Sequence, residues 1–445
     1  MHGQQTLAEG GRTLASSILD ARALTDDLFR VVRQESFYER PIAERHRILF
    51  YVGHLEAFDW NLLGRDILGL PAFQAEFDRL FAFGIDPVGG GLPDDQPSDW
   101  PPMAEVERYN QRLRQTLDAA LEKVSFQDPA LPLLRDGYAL HVALEHRLMH
   151  AETLAYMLHQ LPFESKLPRT QAASPATPPP ALRMAKIPAG VARLGMPRAN
   201  GNDFGWDNEF ETQEVNVAEF AIDAYNVTNG QFLDFMRAGG YEERKFWTDS
   251  DWKWKEDYGI VHPCFWTCRG ARWFYRGMFE EIPLPLDWPV YVSQAEAAAY
   301  ARWVGKELPT EAQFHRAAFG TPQAQEADYP WGNQPPHPGL GNFNFQRWDP
   351  APVGSYPSGS SAFGVADLVG NGWEWTSTVF APFPGFQAFS FYPGYSANFF
   401  DGKHYVMKGG SARTADRLLR RSFRNWFQPH YPYVFAKFRC VSSAS

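Results

Sequence analysis

The residues best suited to chemistry are His146, His150 and Glu152, spaced H-x3-H-x-E within ALEHRLMHAETLAYMLH. Two histidines four apart on a helix project from one face, where both imidazoles can grip one metal ion. A third histidine, His54, lies in the earlier stretch FYVGHLEAFDWNLL. Three neutral imidazoles on one side of a metal leave its other side open to reactants. Glu152 does not complete a two-histidine, one-carboxylate set, because two residues past His150 is about 200° round the helix; a supporting role suits it. His46 precedes His54 by two turns and about 80° of rotation, which makes it structural. His141 and His159 lie off the stripe. By ligand softness an all-histidine site admits zinc, copper or iron, and spacing does not choose among them.

Helices must position these side chains. Four segments carry helical periodicity: 12–34, 42–67, 103–125 and 134–161. Pro41 is a natural start for the second. Phe50, His54, Phe58 and Asn61 form one face of it, and Val142, His146, His150, Thr153 and Met157 one face of the fourth. Four such segments predict a bundle over residues 1–165, with ligands projecting into its core from facing helices. Residues 81–102, rich in Gly and Pro, predict a long functional loop. Residues 166–182, KLPRTQAASPATPPPAL, predict a linker. From 183 to 445 the texture turns loop-rich and aromatic, with helices expected at 229–240 and 293–308 and few others, an irregular α+β domain.

Composition narrows the function classes. The 445 residues suit two or three domains, and the formal charge of −10 argues against a nucleic-acid partner. No apolar run is long enough for a membrane span, and the N-terminal segment lacks a signal-peptide core. Three cysteines (Cys264, Cys268, Cys440) form no disulfide framework and fit a reducing cytoplasm. Cys264 and Cys268 could pair or hold a metal, but no second ligand pair accompanies them.

The order GHLEAFDWN, EHRLMHAE, a Pro-rich linker and then a second domain resembles the ergothioneine-type sulfoxide synthases. In the second domain the resemblance rests on YNVTNGQFLDFMRAGGY, PVYVSQAEAAAYARWVGKELPTEAQFHRAA, GVADLVGNGWEWTSTVF, VMKGGSARTADRLLRRSFRNWF and FRCV. It implies a DinB-like four-helix bundle followed by a formylglycine-generating-enzyme-like, C-type-lectin-like α+β domain. It further implies that His54, His146 and His150 bind a non-haem Fe(II), and that O2 is used to join a chalcogen to the imidazole C2 of hercynine. A metal that holds both reactants makes their union effectively intramolecular. The family's catalytic tyrosine corresponds to Tyr392 or, second, Tyr395. Asn425 and Trp426 match positions that contact hercynine, and an indole face suits its trimethylammonium group. Carbonyl-rich loops around Asn342 and Asn371 resemble calcium sites of related folds, although Asn in such loops commonly forms turns.

Three departures point away from the sulfur-using members. Met149 stands where those enzymes carry a Gln that positions the substrate imidazole, and a thioether cannot replace amide hydrogen bonds. Phe427 and Tyr431 stand where an Asp and an Arg hold γ-glutamylcysteine, so a zwitterionic donor has lost its matching charges. The bundle's arginine-bearing loop gives way to glycines with Asp86, Asp94 and Asp95, a wall suited to a polyhydroxylated donor. This pattern resembles the selenoneine synthase branch, which implies a selenosugar donor. The alternatives are a thiol donor (cysteine or γ-glutamylcysteine) and, from another class, a non-catalytic lectin-like binding module. Formylglycine generation needs a cysteine pair near the C-terminal core, where only Cys440 lies.

Overall fold

The computed structural model describes residues 2–82, 94–126, 128–169, 181–198 and 204–443. The chain divides into two compact units, Met1–Arg169 and Thr170–Ser445. The predicted architecture holds: a helical N-terminal unit precedes a unit of short sheets and helices.

The first unit is built from α1 (His2–Phe29), α2 (Ile48–Asp59), α3 (Ala75–Leu80), α4 (Met103–Leu121) and α5 (Tyr138–Gln160). Helix α1 packs on α5, and α2 packs on α4 and α5. Helices α2 and α5 are buried almost all round. That is why their sequences are apolar on every face rather than amphipathic. Several expected boundaries move: the first helix spans His2–Phe29 rather than 12–34, and the third ends at Leu121 rather than 125. Residues 42–47 form turns, so the second helix begins at Ile48, well after Pro41. Its last part, Trp60–Ile67, winds as a π-helix, a form common near functional sites. The fourth helix begins at Tyr138, after a 3-10 turn over Pro132–Gly137. The start of the expected linker belongs to the bundle: Lys166 is buried, with Nζ donating to the carbonyls of Leu158 (3.2 Å) and His159 (3.4 Å). Residues 170–180 of that linker lie outside the described residues.

Among the described residues the second unit has strands β1 (Met184–Ile187), β2 (Gly190–Leu194), β3 (Gln213–Val217), β4 (Phe220–Asp223), β5 (Trp266–Arg269), β6 (Arg272–Arg276), β7 (Glu281–Pro283), β8 (Trp373–Val379), β9 (Tyr405–Lys408), β10 (Asn425–Phe427), β11 (Ala436–Lys437) and β12 (Val441–Ser443), in four small sheets ordered β1-β4-β12, β10-β9-β8-β11, β2-β3 and β5-β6-β7. Strands β1 (Met184–Ile187) and β12 (Val441–Ser443) both flank β4 (Phe220–Asp223), so the unit's two ends close on one sheet. Ile187, Ile222, Phe314, Phe319, Leu368 and Val441 form a core against it. Among the described residues four α-helices appear: α6 (Asn229–Arg237), α7 (Asp249–Asp257), α8 (Gln294–Trp303) and α9 (Glu311–Phe319). Only α6 and α8 were expected. The other two, each nine residues long like α6, were missed. Their start signals were nonetheless present: Thr310 closes a capping box with Gln313 at α9, as Thr228 and Ser293 do with Gln231 and Glu296 at α6 and α8, and Thr248 caps α7.

Strand β8 (Trp373–Val379) pairs with β11 (Ala436–Lys437) and sets Glu374 beside Lys437. Arg439 grips the same carboxylate with two bonds, 2.6 and 2.8 Å, and all three side chains are fully buried. Burial lowers the Lys437 ammonium to about 8, and Glu374 is the main group opposing that shift. Asn342 and Asn371 bind one another (3.0 Å), and both ends of the Asn371 amide pair with the Ala351 backbone. These amides hold the loop together, the turn-forming role. No disulfide links the three cysteines. Among the described residues no helix is long and apolar enough to cross a membrane.

Candidate metal centre

Helix α2 supplies His54, and α5 supplies His146 and His150 one turn apart. All three are buried, and their Nε2 atoms converge: His150 Nε2 lies 3.1 Å from that of His146 and 3.3 Å from that of His54. The set is a group capable of holding a metal ion. Two nitrogens bound at about 2.1 Å to one ion, 90–109° apart, stand roughly 3.0–3.4 Å from each other. Both of these spacings fall in that range, and the three ligand atoms all lie within 4.8 Å of one another, so the donor set can hold a single ion.

The ring orientations are fixed from behind. His54 Nδ1–H donates to the Phe81 carbonyl (2.7 Å), which leaves Nε2 as a lone pair aimed at the centre. Phe58 stacks on His146 with centroids 3.4 Å apart and planes 10° apart. Phe50 stacks on His54 (4.8 Å, 20°), and His46 lies on the far side of Phe50 (4.1 Å). Gly53 makes the Phe81 contact possible: a Cβ there would stand 2.5 Å from the Phe81 ring. Burial lowers the His54 pKa to about 4, with His46 and Arg147 adding to the effect. Burial also holds His146 and His150 well below the ordinary value, reinforced by the neighbouring imidazoles and Arg147. All three rings are therefore neutral at physiological pH, the form that binds metals.

Glu152 is buried, so turning away from the histidines does not take it to solvent. Met149 is half-buried on α5. The acidic wall expected of the 81–102 loop is not a free one. Asp95 forms ion pairs with Arg40 and Arg47 and accepts a bond from the Trp100 indole (2.7 Å). It is a counter-ion to two arginines. Asp94 is exposed, and Asp86 lies outside the described residues.

The remaining site residues lie in the second unit. Strand β10 (Asn425–Phe427) carries Asn425, Trp426 and Phe427, all half-buried. The Trp426 indole stacks on Phe380 (4.3 Å, 7°) and meets Tyr395 edge-on (5.6 Å). Tyr395 also stacks on Trp206 (4.0 Å), and Tyr392 lies beside it (5.8 Å). Phe427 and Tyr431 stack on each other (5.2 Å, 15°). The two departures from the sulfur-using pattern thus form one aromatic plate. Trp206 and Phe380 were not anticipated as site residues; both come from segments distant in sequence from β10, Phe380 closing the stretch GVADLVGNGWEWTSTVF.

A buried three-histidine group in a helical bundle, followed by a unit of small sheets and short helices, defines a two-unit architecture with a candidate metal centre. The model of the DinB superfamily matches residues 18–154, and that of the sulfatase-modifying factor enzyme 1-like domain matches residues 170–444. The hercynine oxygenase of Mycolicibacterium thermoresistibile is 35% identical over 435 residues, covering 94% of this chain and 93% of that one. That of Mycobacterium tuberculosis is 34% identical over 340 residues, covering 76% and 78%. Ergothioneine biosynthesis protein 1 of Neurospora crassa is 27% identical over 496 residues, covering 93% of this chain and 55% of its own. The chain belongs to the hercynine oxygenase family and is an enzyme.

Proposed function

We propose that this enzyme uses O2 and a non-haem Fe(II) held by His54, His146 and His150 to join a chalcogen donor to C2 of the hercynine imidazole. The convergence of three neutral Nε2 atoms at single-ion spacing carries this reading. When bound, iron would supply open coordination positions and one-electron chemistry toward O2. With a thiol donor the balance is complete: the C2–H and S–H bonds break, C–S and S–O bonds form, and O2 ends as the sulfoxide oxygen and one water. Asn425 and Trp426 bind hercynine, the indole facing its trimethylammonium group. Tyr395 is committed to packing between Trp206 and Trp426, so the proton-delivering role goes to Tyr392. The reducing cytoplasm is the compartment we assign, on the low cysteine content.

The names of the relatives, hercynine oxygenase and ergothioneine biosynthesis protein 1, support the sulfur reading, for which cysteine or γ-glutamylcysteine is the donor we propose. A second reading, a selenosugar donor in selenoneine formation, is favoured by the stacked Phe427–Tyr431 plate and by Met149. An aromatic face suits a sugar ring and offers no charge to a zwitterion. The deciding experiment mixes anaerobically Fe(II)-loaded protein with hercynine, O2 and each donor in turn, following O2 uptake and product mass. Product from the selenosugar alone assigns selenium. Turnover with a thiol and none with the selenosugar assigns sulfur. No C2 adduct with any donor refutes carbon–chalcogen bond formation.

A further inference from the structure

Behind the three histidines lies a second buried constellation that the proposed chemistry does not use. Arg147 directly follows His146 in sequence and is 1% exposed. Its Nη1 donates to Glu56 Oε1 (2.9 Å), and its Nη2 donates to Asp59 Oδ2 (2.7 Å) and to the Leu55 carbonyl (3.0 Å). Leu55 directly follows His54, so one planar guanidinium on α5 spans the helical turn of α2 next to the other ligand. The carboxylates are as deeply placed, Glu56 at 3% and Asp59 at 2% exposure. Glu56 also accepts from Arg114 of α4 (2.7 Å), and Arg22 of α1 lies 3.9 Å from it. Four helices therefore meet on one carboxylate.

Such a network is poorly explained as a device for stability alone. Replacing a buried ion pair by apolar groups of similar volume is often neutral or stabilising, whereas a fixed fork with directed bonds sets register between helices. Sliding α2 against α5 by even a fraction of a turn would break the bonds to Leu55, Glu56 and Asp59 together. The same slide would carry His54 away from His146 and His150.

We infer that Arg147, with Glu56 and Asp59, is a positioning clamp that locks α2 against α5 in the register where the three imidazoles converge, so that the metal site is formed before the metal arrives. This rests on the iron reading above. The first variant is the triple Arg147→Met/Glu56→Gln/Asp59→Asn, after which Arg22 and Arg114 keep Asp118 and Asp26 as partners. The second is Arg147→Lys, which keeps the charge but loses the fork. Anaerobic Fe(II) titration gives affinity, Co(II) absorption reports ligand geometry, and thermal unfolding of the metal-free proteins reports stability. The clamp requires metal affinity to fall about ten- to a hundredfold in both variants, the range for groups that orient metal ligands. It also requires an altered Co(II) spectrum in at least one variant that melts near the wild-type temperature. Wild-type affinity and spectrum in either variant overturn the clamp, as does an affinity loss that only tracks lost stability. Wild-type protein that binds neither Fe(II) nor Co(II) overturns the iron reading itself and the clamp with it.

Discussion

Acidification should destabilise the metal-free enzyme through its buried histidines, and His54 allows the size to be worked out. The folded protein holds this ring down to about 4 from an ordinary 6.5, chiefly by burial. Above the ordinary value the ring is neutral in both folded and unfolded chains, and the two states do not differ in protons bound. As the pH falls from there toward about 4, the unfolded chain takes up a proton that the folded chain refuses, so stability falls with pH across that window. At 1.36 kcal/mol per unit, a drop to about pH 5 costs about 2 kcal/mol from His54 alone. His146 and His150 shift in the same direction and add to the loss. The assay is urea unfolding of chelator-treated protein near neutrality and near pH 5, for wild type and for His54→Leu, which removes the titrating ring while keeping an apolar side chain. The wild type should lose about 2 kcal/mol more than the variant between the two conditions. Equal losses would refute the argument, because the acid sensitivity would then lie in groups other than the converging rings.

Other expectations follow from the same geometry. Gly53→Ala forces a methyl group into the Phe81 ring and should cost about 1–3 kcal/mol as an overpacking change, measured by thermal unfolding. It should also weaken Fe(II) binding, since the Phe81 carbonyl orients His54. Tyr392→Phe should lower turnover by about 10²–10⁴-fold, the usual worth of a positioned proton donor, with an unchanged melting temperature. Tyr395→Phe keeps the ring between Trp206 and Trp426 and should leave most of the activity. Trp426→Leu should raise the hercynine KM by roughly fivefold or more through loss of about 1 kcal/mol of cation–π attraction, read from initial rates at saturating donor.

The histidine stripe was legible because one rule of helix geometry, four residues per near-complete turn, fixes where side chains point before any tertiary contact is known. The same rule placed Phe50 and Phe58 beside His54 correctly, and the two rings now back His54 and His146. What the rule could not supply was a partner from elsewhere in the chain. The Phe81 carbonyl that orients His54 lies 27 residues on, and a backbone oxygen leaves no mark in a sequence. Its one trace was Gly53, an otherwise unexplained glycine inside a helix. One of the loop carboxylates, Asp95, makes a related point. Asp95 had the right chemistry for a sugar hydroxyl, but Arg40 and Arg47, about fifty residues earlier, had already claimed it. A count of charges in a loop does not show which of them are taken.

The buried arginine network shows what a closer reading of the sequence would have found. Glu56, Asp59 and Arg147 interrupt helices that are apolar on every side, and charges at such positions are rare unless paired. Two acids in α2 and one guanidinium in α5 therefore had to find each other. Because Glu56 and Asp59 follow His54 by two and five residues, and Arg147 follows His146 by one, the pairing also fixes which turns of α2 and α5 lie opposite. Burial pushes both acids up, yet Arg147, Arg114 and Arg22 together outweigh it for Glu56, which they hold near 2, while Asp59 remains raised. Glu56 is thus the anion on which the bundle's guanidiniums converge, and its placement two residues beyond a metal-ligand candidate gives the helix a charged back to match its histidine front. The register of the bundle and the shape of the metal site are in this sense one problem, solved by neighbouring residues of the same two helices.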